Sequence, residues 1–366
     1  MDGEAIDKVH PSTVAAGNDP FSAPYLSAVA GPLGTWERLL VAKPKSARSD
    51  ESPCAEVPLR VSDLLRLPTG PVDLRAIATR TTPGFTGSGK TDATTAMRHL
   101  GPHLANLQEQ LYAEGHTGGR RSLLLVLQGM DTAGKGATVK HVLGLVNPMG
   151  VQHHAFKKPT PKEREHHFLW RVKRRLPPPG IVGVFDRSHY EDVVVVRVHE
   201  LVHPEMWSCR YSIINRFEAK LAASATRIVK CFLHISKEEQ KRRLIARLDD
   251  PTKRWKYNPA DVDERAYWDD YQQAYSDALK KCNTEAAPWY VVPADRKWYR
   301  NWAVTKILTE QLQGWPLPGQ SLKAGTSRRN ARGWRRIRDL RPPGEELRDV
   351  VHPAVEMFRG EIGHEA

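Results

Sequence analysis

Residues 122–128, SLLLVLQ, form a short, largely apolar run bounded by turn residues, the pattern of a strand buried on both faces of a parallel sheet. Similar segments recur at 151–156, 181–185, 228–234 and 289–292, separated by stretches of helical period or polar connections. This alternation predicts an α/β fold in which a parallel sheet is flanked by helices. Upstream, Met97, Leu100, Leu104, Leu107 and Leu111 recur at helical spacing, which predicts a helix over 94–116 stopped near Gly115 and kinked or restarted at Pro102. Residues 137–146 read as another helix, whereas VVVVRV (193–198) reads as strand-like or core-like rather than amphipathic.

The ends break the pattern. Residues 1–59 are rich in Pro, Ala, Ser and Gly with no sustained period and read as a disordered extension. Residues 316–366 are dominated by Pro, Gly and Arg and read as an Arg-rich tail, so the globular domain is expected over 60–315. Between Ser321 and Arg341 stand eight basic residues and one acid, about half of the chain's net charge of +13. That excess suits a polyanionic partner, whether nucleic acid, anionic lipid or polyphosphate, and a solvated tail is the simpler reading. No apolar run approaches the roughly 20 residues that span a bilayer. The four cysteines are scattered, with no CxxC pair, which suits a reducing cytoplasmic setting.

Three motifs compete for the chemistry. Gly84 to Thr91 satisfies GxxxxGK[ST] in full, but the preceding ATRTTP is no buried strand, and a phosphate loop must leave one so that its N–H groups converge on the ligand. Gly129 to Gly136, GMDTAGKG, follows SLLLVLQ directly and leads into a helical stretch. Here Gly129 and Gly134 permit the tight path and Lys135 reaches phosphate oxygens. Gly136 occupies the position where many such loops carry a magnesium-binding Ser or Thr, so Asp131 is the candidate hard-oxygen ligand inside the loop. His199 to His203 is a literal HExxH, a possible zinc motif. Pro204 follows it at once, and no Gly-containing continuation supplies a third histidine, so packing is the favoured role.

The run Ile181 to Asp186 is an apolar strand ending in a carboxylate, which a phosphate-loop enzyme aims at bound magnesium, and Arg187 beside it suits charge on a transferred group. With GMDTAGKG, FKKPTPKEREHHFLWR, FDRSHYEDVVVVRVH, RLDDPTKRWKYNPADVDERAYWDDY and PWYVVPADRKWYRNWAV in order over residues 129–304, the chain resembles the polyphosphate kinase 2 family, in its AMP- and ADP-phosphorylating branch. The resemblance implies a thymidylate-kinase-like P-loop fold with a helical lid, a Mg²⁺ (or Mn²⁺) cofactor, and phosphoryl transfer between inorganic polyphosphate and AMP, ADP, ATP or other nucleotides. By motif position it assigns Asp131 and Asp186 to the metal, Lys135 and Arg187 to the phosphates, and Arg247 to the lid. Gly136-Ala137 and Phe185-Asp186 depart from the forms expected in that branch, which bears on AMP-versus-ADP preference.

Lys157, Lys158, Lys162, Arg164, Arg171, Lys173, Arg174 and Arg175 form a basic run able to line a groove for a linear polyanion. Of these, Lys157, Lys158 and Arg171 are expected to bind polyphosphate, with Arg243 and Lys253 from a lid over about 242–262. Trp255 and Tyr257 in that lid are read as packing residues before base-stacking ones. A homo-oligomer without membrane contact is expected. The rivals are an ATP-dependent nucleoside monophosphate kinase, and a nucleic-acid-binding NTPase for which no base-reading motif speaks.

Overall fold

The computed structural model describes residues 59–315. Five strands, β1 (Ser122–Gln128), β2 (Val151–Ala155), β3 (Val182–Asp186), β4 (Thr226–His234) and β5 (Trp289–Pro293), form one sheet in the order β2-β3-β1-β4-β5. Every neighbouring pair is parallel. β1 is buried along its whole length, as its unbroken apolar run requires. The chain builds β2 and β3 on one side of β1 and then crosses to β4 and β5 on the other. Ligands of such sheets bind beyond the carboxyl ends of the strands at this reversal.

Helices cover both faces. Arg227 and Lys230 lie three apart in β4 and so project to opposite sides. Arg227 donates to the Gln311 carbonyl of the helix Lys297–Gln313, which packs on the helix Lys90–His116. Lys230, fully buried, donates to Glu218 (2.6 Å), the Tyr190 hydroxyl (2.8 Å) and the Cys282 carbonyl (2.7 Å), within the layer formed by the helices Glu191–Val198, Pro204–Ala223 and Trp268–Lys281. All three ammonium protons are thereby satisfied, the condition for burying a charge.

Two expectations change. VVVVRV is helical, within Glu191–Val198, because Val193, Val194 and Val196 are buried between neighbouring helices; packing overrides β-branched propensity. The helix ending at His116 begins at Lys90 and runs on through Pro102 without a restart. No helix among the described residues is long and apolar enough to cross a membrane.

Candidate active site

The loop after β1 is shaped by positions that only glycine fills without strain. Gly129 has φ +144°, and a Cβ there would stand 2.6 Å from the Leu233 carbonyl oxygen. Gly134 has φ +102°, with a Cβ 1.7 Å from Nη1 of Arg300. Thr132 between them is also left-handed at φ 64°. The helix Lys135–Leu143 follows at once, so its unpaired N–H groups and the loop amides face the carboxyl edge of the sheet. Gly136 is ordinary helix by comparison, and a Cβ there would lie 3.6 Å from Oδ2 of Asp186.

That distance places the β3 carboxylate against the first turn of the loop helix. Asp186 pairs in register with Leu127, and Arg187, left-handed at φ 65°, donates its N–H to the Leu127 carbonyl (3.0 Å). The turn directs the Arg187 guanidinium onto Oδ1 of Asp131 (2.7 Å), with Glu191 3.8 Å away one helical turn on. Lys135 donates from Nζ to the carbonyls of Gly129 (2.8 Å) and Met130 (3.3 Å). Five charged groups therefore act on one another. Burial would raise the Asp131 carboxyl, but Lys135 and Arg187 outweigh it and hold it below the usual carboxylate range. Burial, aided by Arg187, lowers the Lys135 ammonium against the pull of Asp131, Asp186 and Glu191. Burial pushes Glu191 up despite Arg187 and Lys135.

The donor set fits a magnesium-type ion and not an all-protein metal cage. Asp131 and Asp186 offer hard oxygens at the loop, whereas no group of three or more His, Cys, Asp or Glu among the described residues is arranged to hold a metal. Mg²⁺ is held in this manner, by one or two carboxylates with phosphate and water completing the shell. A cavity of about 40 Å³ beside the loop is lined by Asp131, Arg187, Glu191, Gln240, Glu264 and Tyr275 among others. The elements above the loop leave this cavity far below the volume of a ligand pocket, about 300 Å³ or more.

Those elements are the helix Lys237–Asp249 and the turns after it. Gln240 donates to the Asp131 carbonyl (3.1 Å), and Arg247 donates to Asp261 (2.8 Å). Arg247 is thus tied within the lid segment. Lys253 is exposed and paired with Asp250. Trp255 is 77 % exposed, which corrects the packing role expected of it. Lys157 and Lys158 are exposed immediately beyond β2, on the same sheet edge as Asp186, whose carbonyl accepts from the N–H of Phe156 (2.9 Å).

Two expected phosphate ligands stand differently. Arg243 is buried and donates to Glu239 and to the carbonyls of Thr132, Ala133, Ala294 and Asp295, so all five of its N–H bonds are engaged. It braces the loop from behind. Arg171 is likewise buried, donating to the Lys157 carbonyl (2.8 Å) and Asp192 (3.3 Å), and so anchors the lysine segment. Arg300, unremarked in the sequence, is a second brace: its Nη1 donates to the Ala133 carbonyl (3.0 Å), and burial, then Arg243, depresses its guanidinium to about 9. Glu191 and Gln240 also escaped the motif reading, the first lying only four residues beyond Arg187 on a helix.

The competing motifs fall away on geometry. Among the described residues no strand precedes Gly84, and Gly89 merely caps the helix Lys90–His116. His199 ends one helix and His203 caps the next, with left-handed Glu200 (φ 49°) between, so the two imidazoles do not share a helix face. His199 instead contacts Glu264 at 3.0 Å.

The polyphosphate kinase 2 family model matches residues 88–316. A Meiothermus ruber protein named "AMP/ADP-polyphosphate phosphotransferase" is 47 % identical over 247 residues, covering 68 % of this chain and 91 % of that protein. An "ADP-polyphosphate phosphotransferase" of Rhodopseudomonas palustris is 44 % identical over 222 residues, covering 57 % of this chain and 75 % of its own length. Among solved structures, polyphosphate kinase 2 from Arthrobacter aurescens TC1 superposes with a TM-score of 0.70 at 48 % identity, over 76 % of this chain and 98 % of that one. With the family's model spanning the phosphate loop that carries Asp131, the end of β3 that carries Asp186, and residues 242–262, the chain belongs to the polyphosphate kinase 2 family.

Proposed function

We propose that this chain is a Mg²⁺-dependent polyphosphate:nucleotide phosphotransferase that acts on AMP and ADP in the cytoplasm. The carrying observation is the meeting of Asp131, Lys135, Asp186 and Arg187 at the carboxyl edge of β1 and β3. Donor identity comes from the relatives, which are named for polyphosphate, and this disfavours the ATP-dependent monophosphate kinase.

Phosphoryl transfer asks the protein for alignment and for neutralisation of the oxygens that gain charge. The loop amides and the helix N-terminus cradle a terminal phosphate. Lys135 swings from its own loop carbonyls to a phosphate oxygen, exchanging one set of acceptors for a stronger, anionic one. Arg187 leaves or shares Asp131 to steady the transferred group, and Arg247 comes in as the lid closes and excludes water. Asp131 and Asp186 would hold a Mg²⁺, which would supply charge neutralisation to the phosphates. Lys157 and Lys158 guide the anionic chain along the adjacent edge, and Trp255, exposed with Lys256 4.9 Å from its ring centre, is the lid aromatic that a base would reach by displacing that lysine.

The test is to supply Mg²⁺ and long-chain polyphosphate with AMP, ADP or GDP in turn and to identify the products. ADP and ATP formation without any ATP donor is expected. Transfer from ATP alone would assign a monophosphate kinase, and nucleic-acid-stimulated ATP hydrolysis an NTPase.

A further inference from the structure

A cavity lies away from the phosphate loop, at the opposite, amino edge of the sheet. It is about 580 Å³ and bordered by the starts of β4 and β5, by Arg121 just before β1, and by Trp315. Four arginines line it, Arg60, Arg66, Arg121 and Arg227, against two carboxylates, Asp63 and Glu285. Because all five strands are parallel and β1 has seven residues at ~3.3 Å each, roughly 20 Å of sheet separates it from the candidate active site.

Arg121 pairs with Glu114 (2.6 Å), but Arg60, Arg66 and Arg227 have no carboxylate partner among the described residues. Glu310 is committed elsewhere: it accepts the N–H groups of Val61 (3.1 Å) and Ser62 (2.8 Å) with its carboxylate and offers Arg60 only its carbonyl (3.0 Å). Arg121 and Arg227 both lie over the Trp315 ring, 5.3 and 4.4 Å from its centre. Burial lowers the Arg227 guanidinium; Tyr290 opposes this, and Arg121 and Arg60 add to it, as crowded like charges do.

We propose that this cavity is a second anion site, taking a segment of condensed inorganic phosphate at the pole of the molecule opposite the phosphate loop. Guanidinium groups match phosphate oxygens with paired N–H bonds. A nucleotide fits less well, because the Trp315 ring is already engaged by two guanidiniums rather than left to a base. The choice of condensed phosphate as ligand rests on the function proposed above. A polymer long enough to round the domain engages both sites at once and gains avidity, whereas a short one fills them independently.

The experiment is a calorimetric titration of the full chain with inorganic tripolyphosphate without nucleotide, comparing wild type with an Arg60→Gln/Arg227→Gln double variant. Two classes of site are expected in wild type and one in the variant. Turnover with tripolyphosphate should be unchanged, while the KM for long-chain polyphosphate rises about 10-fold or more. One class in wild type, or two retained in the variant, overturns the proposal. If the double variant fails to fold, Arg66→Glu, at an exposed side chain, must abolish the second class instead. Absence of turnover with either donor counts against the proposed function alone and leaves the binding count to decide this site.

Discussion

At the scale of single residues, the candidate site is a balance of opposed charges around one lysine. Lys135→Ala, Asp131→Asn and Asp186→Asn should each lower kcat by at least about 10²–10³-fold, the loss typical of one preorganised electrostatic contact. The fold should survive loss of the Asp131–Arg187 pair, which is partly exposed (29 % and 38 %), since such pairs contribute only about 0–1 kcal/mol. Full activity in any one of the three, with an unchanged melting curve, would remove that residue from the mechanism. The Asp131 shift also gives a pH signature. Its folded-state pKa lies below the unfolded value of about 4, so its contribution to stability is present above that pH and is lost as pH falls through the folded-state pKa. The stability difference between wild type and Asp131→Asn should therefore be constant near neutrality and close in acid; a difference that widens on acidification contradicts the assignment.

At the scale of elements, the loop and the lid are the two that matter, and glycines separate their structural and chemical demands. Gly134→Ala forces a side chain into a left-handed backbone and onto Arg300, so it should cost at least about 1–3 kcal/mol, measured by denaturant unfolding. Gly136→Ser meets only ordinary contact with Asp186 in a helical backbone and should stay within about 0.5 kcal/mol of wild type. Equal destabilisation by the two would show that the loop is not shaped as described. In the lid, Arg247 is held by Asp261 and must exchange that partner for phosphate. Arg247→Gln should lower kcat by about 10³-fold, as loss of a transition-state arginine does, with little change in nucleotide binding by titration. A weakened nucleotide Kd with kcat intact would make it a binding residue instead.

At the scale of the whole molecule, charge is distributed over both ends of the parallel sheet, with lysines beyond β2 at one edge and arginines at the other. Residues 1–58 and the Arg-rich tail, 316–366, lie outside the described residues. Their removal is still informative. Deleting 316–366 should leave affinity for long-chain polyphosphate unchanged at two salt concentrations, whereas a loss that deepens at low salt would make the tail a counterion-releasing anchor.

Much of this was legible along the chain because it is local. A strand buried on both faces must be continuously apolar, and a phosphate loop must follow such a strand with glycines at fixed spacing; hence β1, the loop and the rejection of Gly84 to Thr91 were readable from residue order alone. The amino-acid order likewise determined which carboxylates stand at strand ends. Only the tertiary structure decided which arginines stand partly exposed at the loop and which are spent on the protein interior. Arg243, Arg171 and Arg300 carry the same charge as Arg187, but each is buried and donates to a backbone carbonyl brought in from a distant segment, Thr132, Lys157 and Ala133 respectively. Helical Val193 to Val196 was decided in the same way, by neighbours rather than propensity. A side chain's type fixes what bonds it can make, whereas its partners are fixed by contacts that no local period encodes.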